Sequence, residues 1–147
     1  MSITKQPPRT VKLYGPHGAR VNNVPAKSAI TPGYLLKLFS DSGIAKYKAH
    51  DAADAVFSPT FALEQSMVNR SVDDNYNDGD LIEAYVAQPG DAIWGFIASG
   101  QSLVAGDFVS SAGDGTLHKS TTNPVAVSQE TKVAANTGLT RVRFEVL

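Results

Sequence analysis

Apolar and polar positions alternate along this chain in short runs, and glycine, proline or Asp–Gly steps break each run after a few residues. In "TVKLY" (10–14), Val11 and Leu13 fall on one face, the period of two that a half-buried strand requires. "YLLKLF" (34–39) and "IAKYKA" (44–49) flank "SDSG", where Gly43 supplies a positive φ, and the pattern predicts a β-hairpin. "FVSS" and "TLHKS" flank "AGDG" (112–115) in the same way. "LIEAYVA" (81–87) and "AIWGFIA" (92–98) flank "QPGD", with Pro89 and Gly90 suited to the central positions of a type II turn. The closing "TRVRFEV" alternates cleanly, with Val142, Phe144 and Val146 inward. Helical periodicity is thin. "HDAADA" (50–55) allows one turn and "ALEQSMVNRS" (62–71) a short helix with poor apolar spacing. The expectation is an all-β fold, a small sandwich or barrel-like body built from short hairpins.

"IWGFI" breaks the alternation, because Ile93 and Ile97 lie on one face while Trp94 and Phe96 lie on the other. Either both faces of this strand are inside a sandwich, or one meets another subunit, where Trp and Phe are enriched.

A second irregularity is a repeated phrase. "PGYLLKLFSDSGIAKY" (32–47) and "AGDFVSSAGDGTLHKS" (105–120) align without a gap, so that Gly33 meets Gly106 and Asp41 meets Asp114. A similar strand follows each copy, "FALEQS" (61–66) and "VAVSQE" (125–130). These letters fit a degenerate internal repeat, about 32–66 and 105–130, within one β domain spanning 21–147. Gly-led hairpins recurring by chance would produce the same letters.

Charge changes the picture at the N-terminus. Residues 1–40 carry six basic side chains and no acid, whereas 41–118 carry twelve acids against three bases. With Pro7 and Pro8 disfavouring a helix, residues 1–20 are expected to form an extended arm. Its Lys5, Arg9, Lys12 and Arg20 would meet acidic groups, with Ile3, Val11 and Leu13 as apolar anchors; a solvated tail is the plainer alternative. The opening "MSITKQPPRT" lacks the apolar core of a secretory signal, and no run reaches the roughly 18–20 apolar residues of a membrane span.

Candidate chemistry is sparse. The chain has no cysteine, which excludes disulfides, thiol nucleophiles and Cys-ligated zinc. His17, His50 and His118 are far apart, and "HDAAD" reads more simply as a polar turn than as a general base or metal site. "DDNYNDGD" (73–80) misses the calcium-loop spacing in either frame and reads as an acidic turn. "SVDDNYNDGDLI" has a faint likeness to the uracil-binding motif of trimeric dUTPases, whose other motifs are missing. Phosphate-binding, dinucleotide and nucleophile-elbow motifs are absent, and basic residues are not interleaved with aromatics as direct nucleic-acid binding requires. The expectation is a structural or binding module, not an enzyme, with no cofactor and no metal.

"ITPGYLLKLFSDSGIAKYKAHDAAD", "FALEQ", "VDDNYNDGDLIEAYVAQPGDAIWGFIASGQSLVAGDFVSSAGDGTLHK" and the closing "VAVSQE…RVRFEVL" together resemble the capsid decoration, or cement, proteins of tailed bacteriophages. The resemblance spans most of residues 30–147. It implies a β-rich body, often trimeric, that docks outside an icosahedral head on the major capsid protein and stabilises it by clamping neighbouring subunits. It also implies synthesis in the host cytoplasm and residence on the capsid exterior, with neither membrane nor direct nucleic-acid contact. The residues expected at the capsid or subunit interface are Ile3, Lys5, Arg9, Val11, Lys12, Leu13, Arg20, Trp94 and Phe96. The alternative is a carbohydrate-binding or adhesin-type β module on a virion, with Trp94 or Tyr85 exposed to stack on sugars.

Overall fold

The computed structural model describes residues 8–15, 18–136 and 138–147, which form short β-strands and a single 3-10 turn at Ser66–Val68. The fold is all-β, as the alternation predicts. Of the two possible helical stretches, 50–55 is turn and bend, and 62–71 keeps only that 3-10 turn.

β1 (Lys12–Tyr14) precedes two consecutive runs of five strands with the same connectivity. The first run is β2 (Ala19–Pro25), β3 (Leu36–Asp41), β4 (Ile44–Ala49), β5 (Thr60–Ala62) and β6 (Leu81–Val86). The second is β7 (Ala92–Ile97), β9 (Phe108–Ser111), β10 (Leu117–Lys119), β11 (Ala126–Ser128) and β13 (Thr140–Val146). β8 (Ser102–Leu103) and β12 (Lys132–Val133) interrupt the second run and pair with each other.

In the second unit β7 pairs with β13, β13 with β11, β11 with β9, and β9 with β10. β10 returns to β7 through the parallel pair Leu117↔Ile97, which closes a five-stranded barrel. The first unit repeats this ring. β2 pairs with β6, β6 with β5, and β3 with β4. The bridge Leu35↔Phe61 joins the approach to β3 with β5, and the parallel bridge Ala26↔Tyr47 returns β4 to the end of β2. Registers agree too: Thr60↔Val86 and Ala62↔Ala84 correspond to Ala126↔Val146 and Ser128↔Phe144.

The two runs thus share strand order and register over a longer stretch than the repeated phrase. Only the first half of the phrase is structurally equivalent. Hairpin β3–β4 closes on the two-residue turn Ser42–Gly43, both at positive φ, whereas β9–β10 closes on the five residues 112–116. Asp41 ends a strand and Asp114 sits in the loop, so their alignment is a coincidence of turn chemistry.

Alternation sorts the side chains. Ile30, Leu36, Tyr47, Tyr76, Ile82 and Ala84 fill the first ring. Ile93, Ile97, Val109, Val142, Phe144 and Val146 fill the second. Leu35, Phe61, Leu63 and Tyr85, on the opposite face of the first unit's strands, join the second unit's core cluster. The first unit thus buries both faces of its sheet, one inside its own ring and one against its twin.

One turn recurs in four places: Thr31–Tyr34, Asn77–Asp80, Gln88–Asp91 and Val104–Asp107. In each, the fourth residue's N–H donates to the first residue's carbonyl at 3.0 Å, and glycine in third place has a φ of 103°, 88°, 93° or 95°. Each glycine N–H donates to a carbonyl of a distant strand residue, and that residue's N–H donates to the carbonyl after the glycine. The partners are Ala62, Ala26, Val146 and Ser128, with all eight bonds at 2.7–2.9 Å. In the three Gly–Asp turns the carboxylate also accepts the N–H of the first residue, at 2.8–2.9 Å.

Gly33 and Gly106 occupy equivalent turns with different surroundings. A Cβ at Gly33 would lie 2.7 Å from Arg141 Nη1 and 3.1 Å from the Trp94 carbonyl, whereas one at Gly106 would meet nothing within 4 Å. Gly106→Ala should therefore cost only the left-handed backbone term, about 1–2 kcal/mol. Gly33→Ala should cost at least about 1 kcal/mol more, from displaced packing. Urea denaturation of both variants checks this, and equal losses would show that the close approach at Gly33 carries no energy.

Candidate functional site

The expected interface residues divide on the structure. Ile3 and Lys5 lie outside the described residues. Arg9 and Arg20 are exposed, Arg20 at the start of β2. Val11 is fully buried, and Lys12 and Leu13 are half-buried in β1, which pairs with β7 through Lys12↔Ile93. The boundary of the expected arm moves accordingly, because residues 11–14 and 19–20 are built into the body. Apolar Val11 and Leu13 gain more from the sheet and core than a solvated tail could provide.

Val11 is the staple of the seam between the units. Its N–H donates to Glu64 Oε2 of the first unit at 2.9 Å, and its carbonyl accepts the Trp94 N–H of the second at 2.7 Å. Beside it, Lys12 Nζ lies 4.9 Å from the centre of the Tyr85 ring.

Phe96 is buried inside the chain, meeting Tyr34 edge-on at 5.7 Å, so the expectation that it faces another subunit is corrected. Trp94 packs against the core cluster, half-buried. The Arg141 guanidinium lies 4.7 Å from the Trp94 ring centre and 4.3 Å from that of Phe96, and it donates to the carbonyls of Trp94 and Val72. Burial pushes the Arg141 pKa down, opposed by Asp73 and Glu64. The second apolar face of "IWGFI" is thus spent on the twin unit. Tyr85 is buried as well, its hydroxyl donating to Asp91 Oδ2 at 2.7 Å. Neither aromatic offers an open platform for a sugar.

The polar clusters resolve into joints. Asp74, Asp78 and Asp80 accept the backbone N–H groups of Ser71, Ser28 and Asn77, and Tyr76 between them is buried. "DDNYNDGD" is a turn. His50 is buried, stacked on Phe57, with Nδ1 2.9 Å from Ser111 Oγ. Ser111 is itself fully buried, and His50 borders a groove beside β3. His118 Nε2 lies 2.8 Å from Asp54 Oδ1, and the Asp54 N–H donates to the Ser111 carbonyl. Both contacts tie the 50–56 loop of the first unit to the β9–β10 hairpin of the second. Among the described residues no three His, Asp or Glu side chains are grouped to hold a metal ion, and no helix is long and apolar enough to cross a membrane.

Two grooves with apolar residues in their lining open on the outside of the body. A groove of about 420 Å³ beside β3 is lined by Leu36, Leu38, Tyr47, Val56 and Phe57, with Leu38 and Val56 exposed at its edge. A second groove, about 320 Å³, lies between Asn22, Gln65, Met67, Val68, Leu81 and Glu83. Sequence reasoning missed both. Part of their signal was present in Leu81, which alternation with Ile82 and Ala84 points outward.

No family model matches the chain, and no curated protein matches it. Among solved structures it is similar to the N base of the head fiber gp8.5 of bacteriophage phi29. The TM-score is 0.58 over 89% of this chain and 95% of that chain, at 15% sequence identity. The chain folds like a phage head-fiber base. At 89% of this chain, the likeness extends into both five-stranded units.

The joints set the acid response. Burial, then Lys37, lowers the His50 pKa, so the folded protein holds this ring neutral where the unfolded chain takes up a proton near 6.5. Stability is full above about pH 6.5 and declines as pH falls toward the depressed value. Lys48 and Lys37 lower Asp51 to about 2, and His118, then Ser120, lowers Asp54. Those contributions are complete above about pH 3.9 and are lost as pH falls through the lowered values. Urea midpoints from pH 8 to 2 should fall in two stages, and His50→Gln should remove the upper one. A flat midpoint between pH 7 and 5 in the unmutated protein would contradict the buried neutral ring.

Proposed function

We propose that this chain is a structural protein of a bacteriophage virion. Its fold likeness to a phage head-fiber base, across nearly the whole of both chains, carries the reading. In the finer form of the proposal it is a decoration protein on the capsid exterior, bound to the major capsid protein across neighbouring subunits. It acts as a homo-oligomer, with three copies favoured, and performs no catalysis. Exposed apolar side chains on rigid strands and tight turns support this role: Leu38, Val56, Met67, Leu81, Phe108 and Val133 provide contact area that orders on docking at little entropic cost. The basic contribution to docking comes from Lys5, Arg9, Lys12 and Arg20, of which Arg9 and Arg20 are exposed on the described body. Many symmetric copies multiply a modest affinity per site.

Antibody against the chain should label the exterior of purified source heads in electron micrographs. Heads stripped of the protein should open at lower temperature, and adding it back should restore them. Label confined to tails, or protein that sediments apart from every particle, would overturn the reading.

A further inference from the structure

The two units pack in a way that leaves a matching pair of surfaces unused. On the first unit, Leu35, Phe61 and Tyr85 are no more than 1% exposed and face the second unit. On the second unit, Trp94, Phe96 and Arg141 receive the Gly33 turn and Tyr34 beside it. The contact is heterologous, because the two surfaces lie at opposite ends of equivalent outer sheet faces.

Strand equivalence locates the partners that remain. Leu35, Phe61 and Ala87 correspond to Phe108, Val127 and Leu147, and there Phe108 is 45% and Leu147 48% exposed. Gly106, equivalent to Gly33, has nothing within 4 Å of a Cβ position. Arg141 corresponds to Leu81, which is 59% exposed on the 320 Å³ groove with Met67 and Asn22. Gln65 lines that groove, buried to nine-tenths, and its Oε1 has no hydrogen-bond partner among the described residues. One open surface of each kind is therefore left over; Phe108, Val127 and Leu147 are apolar like their buried twins, whereas Glu145 stands in the place of Tyr85 and the bulge residues Asn22 and Asn23 in that of Trp94.

We infer that these surfaces meet between copies of this chain: the Phe108–Leu147 face of one copy seats on the Leu81 groove of the next. The contact repeats between molecules the one already made between units. Head-to-tail pairing of this kind closes into a ring or continues as a filament. In it the Gly106 turn takes the place over Leu81 that the Gly33 turn takes over Arg141, and Gln65 Oε1 gains a donor. The inference rests on the duplication and not on capsid binding: a monomer would remove the homo-oligomer from the proposed function but leave a head-bound chain standing, and failure to bind heads would leave this inference.

The test is the solution mass of the full chain at tens of micromolar, by sedimentation. The unmutated protein should be an oligomer. Phe108→Arg and Leu81→Arg should each be monomeric with unchanged urea midpoints, since both side chains are exposed within the chain. Mixed in equal amounts they should form a heterodimer of twice the monomer mass and nothing larger, because each retains the surface the other has lost. A monomeric unmutated protein, an oligomer that survives either substitution, or a mixture that stays monomeric would overturn the inference.

Discussion

The glycine-led turn that clasps one residue of a distant strand is the constraint on which the fold depends. It requires positive φ in third place, which an L side chain adopts only at a cost of about 1–2 kcal/mol. It also converts a local reversal into a long-range tie, since the glycine N–H and the following carbonyl both bond to the same remote residue. Ala26, Ala62, Ser128 and Val146 are each held this way, and each lies on or beside a strand that closes a ring. With no cysteine in the chain and no α-helix among the described residues, these clasps fix the register in which the alternating side chains meet.

Between the rings the seam combines burial with directed polar contact. Burying Phe61 and Tyr85 contributes roughly 1.5–3 kcal/mol each. Arg141 adds a cation over two aromatic rings, about 0.5–2 kcal/mol per ring once desolvated, while its donors take two carbonyls. Val11 then bonds to both units at once. The seam is held from the side of the apolar faces and from the side of the chain's first strand.

Much of this was legible in the letters. The period of two, the Pro–Gly and Asp–Gly punctuation and the doubled phrase pointed to hairpins, a barrel and a repeat. "IWGFI" left two readings open, a strand buried on both faces or one that meets another subunit, and Phe96 lies buried within the chain. The extent of the repeat was not legible, because the units share topology while their letters agree mainly where glycine is obligatory. The second half of the phrase misled for the same reason: Asp and Gly mark a two-residue and a five-residue turn alike. Val11 and Leu13 looked like part of an arm because prolines and bases surround them, and their partners lie more than fifty residues downstream. The grooves were hidden because an outward leucine becomes informative only once its neighbours in space are known.

The position of β1 in the chain has a consequence for synthesis. The ribosome delivers the strand that joins the two units first, but β7, its partner, follows only after the entire first ring has emerged. Until then the nascent first ring displays Leu35, Phe61 and Tyr85 to the cell, with nothing to cover them. Closure of the seam is thus deferred until the second unit has been made, when the later barrel arrives as both the missing lid and the missing edge. A chain built this way folds in the order it is made, except for its beginning, which must wait.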